Sequence, residues 1–243
     1  MPYPLEWDTS TGKQKKLPAL KVNPIHGVLP YDGYRNPLTR SSSASRVSMT
    51  FATPATKGQR KVYHFDGQRE MAVGIEAMLS PELYGLEVQL PPIFYPYGRK
   101  KPNEHSFDLR ITFRDGFRRA VFVRNGTSLA RQKTQDEIAA IIAATPASFA
   151  DDIIVVNGDH YTRAYRDNLL RILGATETAD EDADRHVLDR ARSGQYWLMR
   201  ELLAQCDVAW GRASDAVLRL VGQGAIKANW HAVICEYSRI WVA

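Results

Sequence analysis

Long hydrophobic runs are missing from this sequence of 243 residues, and cysteine is scarce. No apolar stretch approaches the roughly 18 residues that a membrane-spanning helix needs, which argues against an integral membrane protein. Residues 1–16, MPYPLEWDTSTGKQKK, lack the apolar core of a signal peptide, so we expect a cytoplasmic location. Cys206 and Cys235 are far apart and lie in apolar patterns. They predict two buried, reduced thiols, and they exclude a disulfide framework or a cysteine zinc cluster.

Acidic residues are nearly absent from residues 9–65, where Asp32 is the one carboxylate beside ten lysines and arginines. Clustered cations favour a polyanionic partner, most often nucleic acid, although a solubilising tail has the same composition. Residues 99–101 form a second basic cluster. We therefore predict double-stranded DNA as the partner. The candidate contacts in these two regions are Arg35, Arg40, Arg46, Lys57, Arg60, Lys61, Arg99, Lys100 and Lys101.

Composition divides the chain into four segments. Residues 1–62 are rich in Pro, Gly, Ser and basic residues and show little periodicity, which predicts a loop-rich N-terminal arm that orders on a partner. Residues 63–174 alternate helix and strand patterns, which predicts a mixed α/β domain. The acidic residues 175–184 predict a linker. Residues 185–243 then predict a second compact unit.

Within residues 63–174 the hydrophobic periods predict three helices and five strands. Thr134 is the predicted N-cap of the second helix, with Glu137 completing a capping box. The predicted helices cover 69–79, 134–144 and 162–173, and the predicted strands cover 86–91, 93–98, 107–113, 117–125 and 152–158.

Residues 185–243 show three helical patterns followed by two short strands, at 225–230 and 232–242, which is the element order of a winged helix. In that fold the third helix enters the major groove, so Arg212 and Arg219 are candidate contacts to bases or phosphates. Lys227 on the hairpin is a candidate phosphate contact. The alternative is a winged helix that binds protein through its tryptophans.

The stretch HSFDLRITFRDGFRRAVFVRN, residues 105–125, reads as two strands around an Asp-Gly turn. Strand alternation separates Asp108 from the apolar face of the first strand. Restriction-like nucleases hold Mg²⁺ on such a hairpin, with an acid on the first strand and Glu-x-Lys or Gln-x-Lys on the second. Phe122 and Arg124 occupy those two positions here. Glu70 is the best candidate for a further acid, and Glu76 is the second choice.

Residues 60–130 resemble the TnsA-like family, the nuclease subunit of heteromeric transposases. The resemblance rests on FDGQRE (65–70), VQLPPIFY (88–95), HSFD (105–108), DG (115–116) and AVFVR (120–124). It implies a restriction-endonuclease-like mixed sheet flanked by helices, with a winged-helix-like C-terminal domain. It also implies that Glu70 and Asp108 hold Mg²⁺ and that Arg124 replaces the catalytic lysine of the family. The basic arm has no counterpart in that pattern.

Three hypotheses follow. The first is a DNA-binding protein on a TnsA-like scaffold whose metal centre is degenerate and inactive, because arginine stays protonated and presents a planar fork that suits gripping a phosphate. The second is an active Mg²⁺-dependent endonuclease of a transposon or other mobile element, working beside a transposase. The third is a protein-interaction adaptor.

Overall fold

The computed structural model describes residues 18–39, 45–98 and 101–243, and these residues form a mixed α/β structure, as the sequence predicts. The first strands are β1 (Val47–Ala52) and β2 (Arg60–Phe65), an antiparallel pair joined by one 3-10 turn. The backbone of Leu29 pairs with that of Lys61 on β2. The predicted loop structure up to residue 62 is therefore wrong for residues 47–52 and 60–62, where basic and Thr/Ser residues obscure the strand pattern.

A four-stranded sheet forms the centre of the α/β part. Its strands lie in the order β3-β6-β7-β8; the first three are antiparallel, and β8 is parallel to β7. Strands β4 and β5 form a separate ribbon. The elements are α1 (Gln68–Met78), β3 (Leu83–Val88), β4 (Ile93–Tyr95), β5 (Asn103–His105), β6 (Leu109–Phe113), β7 (Arg118–Arg124), α2 (Gly126–Leu129), α3 (Gln132–Ala144) and β8 (Asp152–Asn157).

Two apolar layers hold this sheet. On one face Ile75 of α1 shares an apolar cluster with Leu109 and Val121. On the other face Phe122 shares a second cluster with Ile141 of α3. Gly74 lets α1 lie directly on β2, because a Cβ there would come within 2.7 Å of the Phe65 ring. The close packing of α1 fixes where its first turn meets the sheet.

The N-terminus of α3 differs from the prediction. The helix begins at Gln132 with Arg131 as its N-cap, so Thr134 lies inside the helix and does not cap it. Glu137 accepts a hydrogen bond from the hydroxyl of Tyr95 at 2.5 Å and takes no part in a capping box. A tertiary partner outside the helix has replaced the local interaction that the sequence suggests.

The C-terminal part is helical and ends in a short antiparallel pair of strands. The predicted linker is mostly helix. The fourth helix runs past Gly174, and Asp180 caps the fifth, whose first-turn acids interact favourably with the helix dipole. The elements are α4 (Arg163–Thr176), α5 (Glu181–Ser193), α6 (Met199–Leu203), α7 (Trp210–Gly222), β9 (Ile226–Ala228) and β10 (Ile240–Val242).

Helix α7 is the centre of the C-terminal part, since it packs against both α4 and α5. Helix α4 also contributes Leu169 and Leu173 to the core of the α/β part. The side-chain amide of the buried Asn168 donates hydrogen bonds to the main-chain carbonyls of Trp230 and Ala232. The two parts of the chain are thus joined by shared helix packing.

Two simpler predictions have mixed outcomes. Cys206 and Cys235 are free thiols, as expected, but both are only partly buried. In the described ranges no helix is both long and apolar enough to cross a membrane.

Candidate metal and phosphate site

The predicted site residues Glu70, Asp108 and Arg124 are brought to one end of the central sheet. Asp108 directly precedes β6 and Arg124 ends β7, and antiparallel pairing places the start of β6 beside the end of β7. The Asp108 Oδ2 accepts a hydrogen bond from the backbone N–H of Val123 at 2.8 Å. This bond fixes the carboxylate beside the last residues of β7.

Glu70 reaches the same place from the first turn of α1. Its Oε2 accepts hydrogen bonds from the backbone N–H of Asp66 at 2.9 Å and from the side-chain amide of Gln89 at 3.1 Å. Glu76, the second choice, lies elsewhere and accepts hydrogen bonds from the hydroxyls of Tyr161 and Tyr165. Glu70 and Glu76 are six residues apart on α1, so their side chains project in different directions.

Burial raises the pKa of both carboxyl groups, and the charge of Asp108 adds to the rise at Glu70. Burial, followed by the negative charge of Asp108, raises the pKa of Glu70 to about 8. Burial likewise raises the pKa of Asp108, against the opposing effects of the Val123 N–H and the Arg124 guanidinium. Two nearby carboxyl groups that resist ionisation together form a place where a cation is favourable.

Gln89 is a site residue that the sequence analysis missed. Its side chain is buried, it donates to Glu70, and its Oε1 accepts from the Nε of Arg35 at 2.9 Å. Its φ of 51° is a left-handed conformation that is strained for a residue with a side chain. The available signal was its position before Leu90 and two prolines, within the stretch that carries the family resemblance.

Asp66 anchors two predicted DNA contacts next to this site. The Nη2 of Arg35 lies 2.8 Å from its carboxylate, and the guanidinium of Arg46 is also paired with it. Both arginines therefore act within the fold, holding the N-terminal segment against the first turn of α1. Both lie in an ordered segment, and their predicted contact with DNA stays a prediction.

The other predicted contacts of the first 101 residues have varied surroundings. Lys61 is buried, pairs with Asp32 at 3.0 Å and lies over the Tyr63 ring, so it is unavailable to DNA. Arg60 pairs with Glu177 at 2.8 Å. Exposed positions are held by Lys57 and Lys101, and the predictions at Arg40, Arg99 and Lys100 lie outside the described residues.

A cleft of about 640 Å³ is lined by Glu70, Asp66 and Val123, the residue whose N–H donates to Asp108. Arg69, which lines the cleft, pairs with Asp159 at 2.7 Å. Arg124 and Arg166 donate to the main-chain carbonyls of Val123 and Tyr161, and in the described part of the chain neither forms an ion pair. The described residues that line the cleft include no lysine; its cations are Arg46, Arg69, Arg124 and Arg166.

Phe122 occupies the position of the expected second acid or amide and cannot act as a ligand. Its ring is fully buried, 4.8 Å from His105 and 5.7 Å from Phe107 between ring centroids. Burial, together with the charge of Arg124, lowers the pKa of His105 to about 4, which keeps this cluster uncharged at neutral pH. The substitution belongs to the packing of the α3 face.

The two arginines of α7 that were predicted to contact DNA both form ion pairs within the C-terminal part. Arg219 is buried within α7; its guanidinium pairs with Asp184 at 2.7 Å and donates to two main-chain carbonyls. Arg212 forms a bidentate pair with Asp180, at 2.7 and 2.9 Å. The prediction that Arg219 contacts bases is therefore wrong, while Lys227 on β9 is exposed as predicted.

Arg219→Met is expected to lower the free energy of unfolding by roughly 3–5 kcal/mol, because it leaves Asp184 without its partner in a largely buried place. Urea denaturation measures this loss. Arg212→Met is the matched control, and its effect should be much smaller because that pair is solvent-exposed. Equal losses in the two variants would contradict the structural role assigned to Arg219.

Among the described residues, no three His, Cys, Asp or Glu side chains are placed to hold a metal ion together. Glu70 and Asp108 converge at one end of the central sheet, and Asp66 beside them is paired with Arg35 and Arg46. Carboxylates are the ligands that Mg²⁺ prefers, and the carbonyl of Val123 is a further oxygen beside them, so the set fits a weakly held divalent cation. No known family model matches the chain, and comparison with curated proteins finds no significant similarity.

Proposed function

We propose that this protein binds double-stranded DNA in the cleft beside Glu70 and Asp108, on a nuclease-like scaffold with a degenerate, inactive metal centre. One observation carries the proposal: Glu70, whose pKa is raised by burial and by the charge of Asp108, lines a cleft whose cations among the described residues are all arginines. Arg124 and Arg166 each donate one guanidinium N–H to a main-chain carbonyl and have further N–H groups. Arginine can bind two phosphate oxygens at once through such groups. The cleft thus offers a phosphodiester a place to bind without a group suited to cut it.

The topology supports the choice of scaffold. A helix, three antiparallel strands, a helix and a strand parallel to the third is the arrangement expected of a restriction-endonuclease-like core. After α4, the three helices α5, α6 and α7 precede the β9–β10 hairpin, and an isolated bridge joins Leu198 to Arg239. This order favours a winged-helix-like unit, whose third helix is exposed at its first turn and buried over residues 216–221. The TnsA-like resemblance of residues 60–130 agrees with both.

An active Mg²⁺-dependent endonuclease of a mobile element, acting with a transposase, is the second candidate. The convergence of Glu70 and Asp108 favours it, since these residues would hold Mg²⁺ with the carbonyl of Val123. The ion would neutralise charge at the phosphate and supply a polarised water. Arg124 would steady the phosphate but not accept a proton. A protein-interaction adaptor remains the third hypothesis.

The binding proposal is tested with Arg124→Gln combined with Arg166→Gln. Fluorescence anisotropy with a labelled blunt duplex, across a series of salt concentrations, should show weaker binding and a salt slope smaller by about 1 to 2, because each phosphate contact releases counterions. Arg114→Gln is the matched control, since it removes an exposed arginine at the hairpin turn, the opposite end of the strands. An unchanged slope in the double variant would remove the cleft from the DNA interface.

A further inference from the structure

A second cleft, of about 580 Å³, lies in the C-terminal part between the end of α5 and the β9–β10 pair. Two tryptophans line it and are strongly exposed: Trp197 at 69% and Trp241 at 54%. Below them Ile226 and Ile240 are buried and form its floor. Large exposed indoles beside an apolar floor indicate an interaction surface for a ligand or another macromolecule.

Three cations lie at this cleft or next to its tryptophans. The guanidinium of Arg239 lies 5.9 Å from the ring of Trp197. Lys227 pairs with Trp241 across the two strands, and both are exposed. Arg192 lines the cleft, and the lining residues in the described chain include no acid. The cleft is therefore both aromatic and positively charged.

The carboxylate of Glu201 contacts the backbone of Trp197 and is already engaged. Glu201 accepts the backbone N–H groups of Trp197 and Leu198, at 2.9 and 3.1 Å, and these bonds lower its pKa. Its charge is directed at the start of α6, where it satisfies helix N–H donors. It fixes the position of Trp197 without cancelling the cations of the cleft.

We propose that this cleft stacks unpaired bases of a nucleic-acid strand, with Trp197 and Trp241 as the stacking platforms and Arg192, Lys227 and Arg239 near the phosphates. Every base has a π-face, so aromatic stacking with nearby cations binds single strands with little sequence preference. The bases of a duplex cover one another's faces and cannot use the indoles. The inference rests on the proposed function, and it assigns unpaired strands to a surface separate from the arginine cleft.

The test measures binding of labelled oligo(dT) and oligo(U) by anisotropy, together with quenching of tryptophan fluorescence. The full chain carrying Trp197→Ala and Trp241→Ala should bind both oligomers at least about tenfold more weakly than wild type, while blunt-duplex binding is retained. Trp210→Ala is the matched control, because Trp210 is 52% exposed but lies at the start of α7, outside this cleft. Trp197→Phe should retain most of the binding, since it keeps a stacking face.

Each outcome separates this inference from the proposed function. Wild type that binds duplex but neither oligomer overturns the inference alone, and it leaves the aromatic cleft as a surface for a protein partner. Oligomer binding that survives the double variant, or that falls equally with Trp210→Ala, also overturns it. Loss of oligomer binding in the double variant with normal duplex binding supports it. Stronger binding of oligo(dT) than oligo(U), or the reverse, identifies which strand the cleft prefers.

Discussion

Wild-type protein is expected to leave supercoiled plasmid uncut in Mg²⁺ or Mn²⁺, whereas Arg124→Lys is expected to nick it at roughly ten times the background rate or more. Arg124 lies at the end of β7, near enough to Asp108 for its charge to oppose the rise that burial causes in the pKa of that carboxyl. Lysine is a compact point donor that shifts its pKa readily, and arginine is not. A lysine at this position restores a group able to orient water at the phosphate.

Position-specific controls decide whether the gain comes from this site. Arg166→Lys makes the same exchange at another arginine of the cleft and should not produce nicks. Asp108→Asn added to Arg124→Lys should abolish the new activity, because a neutral amide can still occupy the space but not hold a cation equally well. Agarose electrophoresis of plasmid over time distinguishes nicked from supercoiled DNA in all of these variants.

Phe122→Glu, which would add the second acid of the TnsA-like pattern, is not a suitable companion to Arg124→Lys. Phe122→Glu would place a carboxylate among His105 and Phe107 in a fully buried cluster, at a cost of several kcal/mol. Loss of activity there would report unfolding. Wild-type nicking that disappears with Asp108→Asn would contradict the inactive-centre proposal and establish the active endonuclease.

The sequence predicts the hairpin and its two functional ends well, because the signals are local. Strict alternation in residues 107–113 and the Asp-Gly turn determine which strands pair, and antiparallel pairing then places Asp108 beside the residues that end β7. The first turn of α1 follows from its helical period. Glu70 reaches Asp108 because α1 packs on β6, which apolar periodicity also indicates.

Charge partners cannot be predicted in the same way, because they depend on contacts between residues distant in sequence. The basic composition of residues 9–65 suggests solvent-exposed cations, yet Arg35 and Arg46 pair with Asp66, and Lys61 is buried against Asp32. Arg219 has the spacing of an exposed helix position but meets Asp184 thirty-five residues earlier. Gln89 gives no periodic signal, since its role arises from a left-handed backbone and two side-chain contacts.

Glu70→Gln is expected to stabilise the protein increasingly as pH rises. The pKa of Glu70 is about 8 in the folded protein against an ordinary 4.5, so the folded state retains a proton that the unfolded state loses. Below pH 4.5 both states are protonated and the wild-type carboxyl carries no penalty. Between pH 4.5 and 8 unfolding releases a proton, so wild-type stability falls as pH rises, by on the order of 2–3 kcal/mol at pH 7. Glutamine keeps an oxygen acceptor for Asp66 and Gln89 without this penalty.

Urea denaturation at pH 5 and pH 7.5 should therefore show a small difference between Glu70→Gln and wild type at the lower pH and a larger one at the higher. Glu104→Gln, at an exposed position on β5, is the control and should show no such pH-dependent gain. Mg²⁺ or Mn²⁺ should raise wild-type stability at pH 7.5, because a cation favours the ionised carboxyl groups, and should raise that of Glu70→Gln less. If the difference in free energy of unfolding between Glu70→Gln and wild type is the same at both pH values, Glu70 is ionised in the folded protein. If Mg²⁺ or Mn²⁺ stabilises both proteins equally, the cation binds elsewhere.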